Sequence, residues 1–302
     1  MKTVRRLMLL ALALGLAAAP CEAAVGHVRL LVVPLTWGPP VASAEEVQAQ
    51  VAEADAFIRR SSFGRASLSA DVTPVVAGFT IPPACFAGGN EDIGLGALSL
   101  AARGAAARLG YDLGAYDRFV FVFPEPVCGH GGLGVGRDVL LASPNGLDAL
   151  GLVHELGHTF RLPHASSAAC TTCGIREYGD QVSVMGQGSI GFSAWEKAQL
   201  GWLGAVRRVT ATGTYALDPV DAPSPHAQAL LVRVAVGTLW IERRLTPAPR
   251  VEVRIVKRPP GGGATRGVFL ASGRVAATVS GLVRVRLTPR GVALTLLDRR
   301  PT

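Results

Sequence analysis

The stretch HELGHTFRLPH at 154–164 constrains this chain more than any other, because it dictates where three imidazoles and a carboxylate must meet. Residues four apart share one helix face. His154 and His158 can therefore aim at one point, with Glu155 beside them. His164 follows Pro163, and proline ends a helix, so the chain must leave the helix and turn back to bring in a third imidazole. Three neutral imidazoles leave a fourth tetrahedral position for water, the layout of a catalytic Zn²⁺ site with one ion. In this reading the metal lowers the water's pKa and polarises a scissile carbonyl. Glu155 acts as general base and later hands the proton to the leaving amine. A plain amphipathic helix with surface histidines is the bland alternative. It does not explain why three of the six histidines in the chain fall between 154 and 164. An acidic third ligand, Glu177 in place of His164, is a variant of the same chemistry.

Hydrophobic residues make up 49% and charged residues 17%, enough for a packed core and too apolar for disorder. Around the motif the pattern reads as alternating strands and helices. HVRLLVVPL (27–35) is a buried strand. Ser43 and Glu46 have capping-box spacing, and 44–60 carries Val47, Val51, Ala54 and Ile58 on one helical face. A strand follows over 66–76 with a break at Pro74, then a helix over 93–109 and a strong strand at RFVFVF (118–123). CGHGGLGVGRDVLLAS (128–143) is extended and glycine-rich; it lacks the Gly-Lys-Ser/Thr ending of a phosphate loop. A helix over 147–160 carries the histidines, and a short one over 194–200 starts with a second capping box, Ser193 and Glu196. From 205 onward, short Val- and Leu-rich runs such as LWIERR, VEVRIV and LVRVRLT alternate with period two, as an antiparallel β-sandwich requires. The fold expected is α/β: a twisted mixed sheet with an active-site helix over 25–204, then a small all-β domain over 205–302.

Residues 1–24 read as a signal peptide, with Lys2, Arg5 and Arg6 before an apolar run at 7–19 that is too short to span a bilayer. No later segment has 18 consecutive apolar residues, so no transmembrane segment is expected. The protein is expected to be secreted, extracellular or periplasmic. In such a compartment Cys85, Cys128, Cys170 and Cys173 form two disulfides whose pairing the sequence leaves open. Cys170 and Cys173 could be half of a zinc site, but no second cysteine pair completes it, so a disulfide is the better reading. The first strand begins near His27, which leaves little room for an inhibitory pro-domain. Charge is uneven. Residues 25–204 hold 11 Lys+Arg against 16 Asp+Glu, net −5, and residues 205–302 hold 16 against 5, net +11. The basic part is either a solvated surface rich in arginine or a tether to acidic cell-surface polymers; specific nucleic-acid binding has no motif to support it. Asp180 and its acidic neighbours offer oxygens to Ca²⁺, although no loop pattern supports a calcium site.

The motif resembles that of the metzincins, His-Glu-x-x-His-x-x-Gly-x-x-His followed by a methionine turn. More closely, the chain resembles the gametolysin family of cell-wall proteases and its bacterial relatives. Cys128 ahead of a glycine-rich stretch, the HELGH helix, EYGD…SVMG (177–186) and FSAWEKAQLGWL (192–203) carry the resemblance. It implies a zinc metalloendopeptidase acting on extracellular or cell-wall proteins or glycoproteins. It implies that Met185 packs beneath the metal, and that His130, Gly131, Gly132 and Leu133 line an edge where an extended substrate pairs. One position departs. Arg161 stands where the family has glycine, in a turn that needs positive φ, at a cost of roughly 1–2 kcal/mol for a side chain. Gln187 stands where some metzincins have a tyrosine ligand. A secreted, metal-stabilised binding module that works through the basic β domain is the alternative of another class; Glu155 argues against it, because a structural metal site needs no base.

Overall fold

The computed structural model describes residues 24–38, 41–79, 91–125, 131–143, 147–257 and 265–297. The signal-peptide residues up to 23, and Cys85, Cys128 and His130, lie outside them.

The first half is a sheet with helices on both faces. Strands β1 (Gly26–Thr36), β2 (Ala66–Val72), β3 (Val76–Ala77), β4 (Arg118–Phe123), β5 (Gly132–Val135) and β6 (Asp138–Ala142) form it in the order β2-β1-β4-β6-β5, with β3 on the end of β1. All its pairs are parallel except β5 with β6. Helices α1 (Ala44–Ser62), α2 (Glu91–Arg108), α3 (Ala149–Thr159) and α4 (Ala194–Gln199) complete this half. The strands read as unbroken apolar runs because both sheet faces are covered. In β1, Leu30 and Val32 face a core shared with Val47, Val51 and Ile58 of α1 and Leu152, Val153 and Leu156 of α3. The intervening Leu31, Val33 and Leu35 face the other core, with Leu98, Ala102 and Ala106 of α2. β4 does the same, sending Val120 and Val122 one way and three phenylalanines the other. Each such side chain contributes roughly 1.5–3 kcal/mol on burial. Both capping boxes form: Ser43 and Glu46 start α1, and Ser193 and Glu196 start α4.

The remainder is β. Strands β7 (Ser166–Ser167), β8 (Ala205–Arg208), β9 (Gly213–Ala216), β10 (Ala227–Val234), β11 (Gly237–Arg244), β12 (Arg250–Lys257), β13 (Arg266–Gly273), β14 (Ala276–Val279), β15 (Val283–Thr288) and β16 (Gly291–Leu296) form two sheets. Their orders are β7-β13-β12-β11-β10-β8 and β14-β15-β16-β9. Leu239, Ile241, Val251, Val253 and Ile255 of the first sheet pack against Val283, Val285, Val292 and Leu294 of the second. β7 comes from the loop after His164 and pairs in parallel with β13, so the histidine-bearing region supplies a strand to the later sheet.

Period two in LWIERR and VEVRIV puts Glu242, Arg244, Glu252 and Arg254 on one polar face of the sheet. All four are buried, at 0–2% exposure. Their face is covered by the segment around Asp180 and Ala194, to which Arg254 and Glu242 bond directly. Among the described residues, no helix is long and apolar enough to cross a membrane.

Candidate metal centre

Helix α3 starts at Asp148, whose side chain accepts from the Gly151 amide at 2.7 Å. His154 and His158 are one turn apart on its face, with ring centroids 4.8 Å apart. The helix stops at Phe160, and Arg161 follows in left-handed geometry, φ 66°. The turn is held by two backbone bonds, Arg161 N–H to the His158 carbonyl at 2.8 Å and Leu162 N–H to the Gly157 carbonyl at 3.0 Å. The sharp turn expected of the family glycine is therefore made by an arginine. It brings His164 to 4.7 Å from His158 and 5.5 Å from His154, ring to ring. One nitrogen from each of the three histidines lies within 4.8 Å of the others.

The tautomers follow from the acceptors. His154 Nδ1 lies 2.8 Å from the Val184 carbonyl, His158 Nδ1 2.8 Å from the Leu162 carbonyl, and His164 Nδ1 2.8 Å from Glu177 Oε1. Carbonyls and carboxylates only accept, so each Nδ1 carries the proton. Each Nε2 then presents a lone pair. The Nε2 atoms of His154 and His158 are 3.1 Å apart. Burial holds the imidazoles of His154 and His158 below the usual histidine range, His158 at about 4, and the neutral form is the one that binds metal. Glu177 accepts from His164 Nδ1. It stands behind it, and its hydrogen bond to His164 holds the Glu177 carboxyl below the usual range.

Glu155 is buried, 8% exposed. Burial pushes its carboxyl up to about 7, against the pull of the Gly134 backbone hydrogen bond. The edge strand β5 lies directly on this part of α3. A Cβ on Gly134 would stand 2.1 Å from the Glu155 carbonyl oxygen and 2.9 Å from His158 Cβ, and one on Gly132 would stand 2.5 Å from Glu155 Oε1. Only glycine lets the strand approach so closely. Of the cleft residues read from sequence, Gly131, Gly132 and Leu133 are at this edge. Met185 is fully buried under the helix, and a Cβ on Gly157 would come within 2.4 Å of its Sδ. Its carbonyl accepts from the Ala165 amide at 2.7 Å, tying the methionine turn to the residue after His164.

Sequence reasoning assigned no role to Tyr178. Its ring centroid is 3.9 Å from that of His164, and its backbone is left-handed, φ 56°. No local pattern announces this contact, because it depends on the turn that follows Glu177. Asp180 is wholly buried; its carboxylate accepts from Arg254 at 2.8 and 3.3 Å and from the amides of Val182 and Ser183 at 2.8 and 3.2 Å. A carboxylate so engaged organises the methionine turn and has no free face for a cation. Of the cysteines, Cys170 and Cys173 are joined in a disulfide, so they are not a zinc half-site.

Two imidazoles one helical turn apart and a third returned by a tight turn form a group that could hold a metal ion, with a buried carboxylate beside them. Residues 42–233 match the family described as gametolysin peptidase M11, more than half of the chain, and the chain belongs to that family. No curated protein matches it. Among solved structures, catalytically inactive OgpA from Akkermansia muciniphila, in complex with an O-glycopeptide (glycodrosocin) substrate, aligns at 13% identity and TM-score 0.36, covering 92% of this chain and 93% of that one. A chaperone–substrate complex aligns at 16% identity and TM-score 0.35 over 56% of this chain and 29% of that one. Likeness at this level informs neither the site nor the substrate.

Proposed function

We propose that the protein is an exported zinc-dependent endopeptidase, with His154, His158 and His164 as the metal ligands through Nε2 and Glu155 as the general base. The observation that carries this reading is the common orientation of the three rings. Each Nδ1–H is spent on an oxygen acceptor, and three Nε2 lone pairs are left facing one small volume. Three nitrogen donors with hydrogen-bonded outer nitrogens suit Zn²⁺. Bound there, the ion supplies Lewis acidity toward a peptide carbonyl and acidifies water.

The protein's own residues supply the rest. Glu155 Oε1 lies against Gly132, at the junction of the helix and the edge strand. From there the carboxylate takes a proton from the attacking water and returns it to the leaving amine nitrogen. The free edge of β5 pairs with an extended substrate backbone, so the scissile bond lies across α3. The glycines keep that edge low over the helix. Export rests on the residue 1–24 pattern and is consistent with the Cys170–Cys173 disulfide.

The test compares wild type with Glu155→Gln, measuring zinc per chain and casein cleavage on the same preparations. One zinc in both with cleavage only in wild type supports the proposal. Equal cleavage by both, or no zinc in either, refutes it. Zinc in both with casein and a random peptide library left intact by wild type would favour the metal-stabilised binding module.

A further inference from the structure

Away from the histidines, the β region carries a second candidate site. A cleft of about 660 Å³ opens where the two sheets meet, between β8 and β11 of one and the ends of β9 and β16 of the other. That volume is typical of small-ligand clefts. Arg207, Arg243 and Arg290 line it, together with His226 and Asp218. None of the three arginines has an acidic partner among the described residues. The contrast with the buried face of the same sheet is sharp: there Arg244 and Arg254 are each paired with carboxylates. Arg243 donates through Nη2 to the Pro289 carbonyl at 3.4 Å, while its buried Nε has no partner. Arg207 is steadied over the Tyr215 ring, 5.1 Å from its centroid. Asp218, the one acid, is already engaged by Ser224 at 2.5 Å and His226 at 3.6 Å.

We infer that this cleft binds an acidic saccharide unit, a sugar bearing a carboxylate or a sulfate ester, through Arg207, Arg243 and Arg290. Three guanidiniums line one cleft with a single acid among them, and guanidinium matches planar or tetrahedral oxyanions bidentately. The cleft is wider than a single inorganic ion requires, and its remaining walls, Ala216, Ala227 and Pro289, are small and apolar. Such walls suit the non-polar face of a pyranose. Asp218 and His226 then face hydroxyls. A nucleotide fits less well: Tyr215, the aromatic ring beside the cleft, is covered by Arg207 and not free to stack on a base. This reading converts a diffuse excess of arginine into a localised site, and it does not depend on the metal centre.

The experiment uses the full chain and three oligosaccharides of equal length: an oligogalacturonate, a heparin fragment and a neutral dextran fragment. Two double variants with the same loss of charge are compared, Arg207→Gln/Arg290→Gln in the cleft and Arg284→Gln/Arg286→Gln on the exposed face of β15. We expect one or both acidic fragments to bind and the neutral one not to bind. Each lost guanidinium contact weakens binding about tenfold, so the cleft pair loses about a hundredfold and the β15 pair less than twofold. The carboxylated and sulfated arms show which anion the site takes. Equal losses in the two double variants would mean diffuse charge attraction and would overturn the inference. So would no binding of either acidic fragment, displacement by inorganic sulfate at the same anion concentration, or tighter binding of single-stranded DNA through the same pair. Cleavage of an uncharged peptide, read in parallel, is expected to be unchanged by the cleft pair. Failure of the saccharide site and failure of the proteolytic reading are thereby told apart.

Discussion

Replacing Arg254 by methionine tests whether the buried charge cluster holds the metal centre in place. Arg254 is 2% exposed and bonds at once to Asp180 at 2.8 Å, Glu242 at 3.0 Å and Glu252 at 3.0 Å. Arg244, also buried, touches Glu242 at 3.0 Å, and Arg250, partly exposed, flanks Glu252 at 3.2 Å. Burial alone would discourage ionisation of Glu242, yet Arg254 and Arg244 outweigh it and hold its carboxyl down at about 2. Methionine keeps the volume and leaves three carboxylates short of their main counter-ion. Breaking a buried pair from one side costs about 3–5 kcal/mol, a large share of the roughly 5–15 kcal/mol that holds a typical protein folded. For a chain of this size the midpoint should fall by roughly 10 °C. Scanning calorimetry is the assay, with Arg29→Met as the control. Arg29 pairs with Asp71 at 3.2 Å with both side chains about half exposed, and such a pair is worth less than about 1 kcal/mol. The effect should also reach the metal. Asp180 fixes the amides of Val182 and Ser183, and the next carbonyl, Val184, orients His154. Zinc affinity measured by chelator competition is expected to drop about tenfold or more. If Arg254→Met shifts the midpoint no more than Arg29→Met does, the cluster does not hold the sheet and the turn together, and the reasoning is wrong.

Gly134→Ala should cost about 2 kcal/mol or more in unfolding free energy and abolish peptide cleavage, because the new methyl group collides with the α3 backbone at Glu155 and forces β5 away; unchanged stability and kcat/KM would show that β5 does not lie against the helix as described. Arg161→Gly should be neutral or stabilising by up to about 1 kcal/mol, since relief of left-handed strain is offset by the entropy of glycine, and Arg161→Val should cost about 1–2 kcal/mol, both read from urea midpoints. Glu196 is fully buried and its carboxyl is pushed up to about 7 by burial and by Asp180, against Arg254. The folded state therefore keeps a proton between pH 4.5 and 7 that the unfolded chain has released, and this contribution to stability is full below 4.5 and lost as pH rises through 7. Glu196→Gln should flatten that decline, of order 3 kcal/mol; a variant with the wild-type pH profile of stability would locate the titration elsewhere.

Much of the site was legible locally. Helical spacing places His154 and His158 on one face whatever the rest of the chain does, and Pro163 forces the departure that His164 exploits. The turn at Arg161 could be expected as well, because left-handed geometry is a property of a few consecutive residues. The roles of Glu177 and Tyr178 were not legible. Glu177 offers the same carboxylate whether it binds a metal or a histidine, and only the path of the chain after Ser167 decides which.

The β region divides in the same way. Period two fixed which residues of β11 and β12 share a face, since successive side chains must point to opposite sides of a strand. It could not say what lies against each face. Val251 and Val253 meet the second sheet, whereas Glu252 and Arg254 meet Asp180, 74 residues earlier than Arg254. Opposite charges that look solvated in a sequence become a buried lock only when distant segments bring both signs together, because a charge leaves water only with its partner. The sequence by itself determined which histidines and which glutamate can share one side of the helix, the residues proposed as ligands and base, and the alternation of the strands. The tertiary structure decided which polar groups are paired, which arginines are left over, and how the β sheet is tied to the turn beneath the metal.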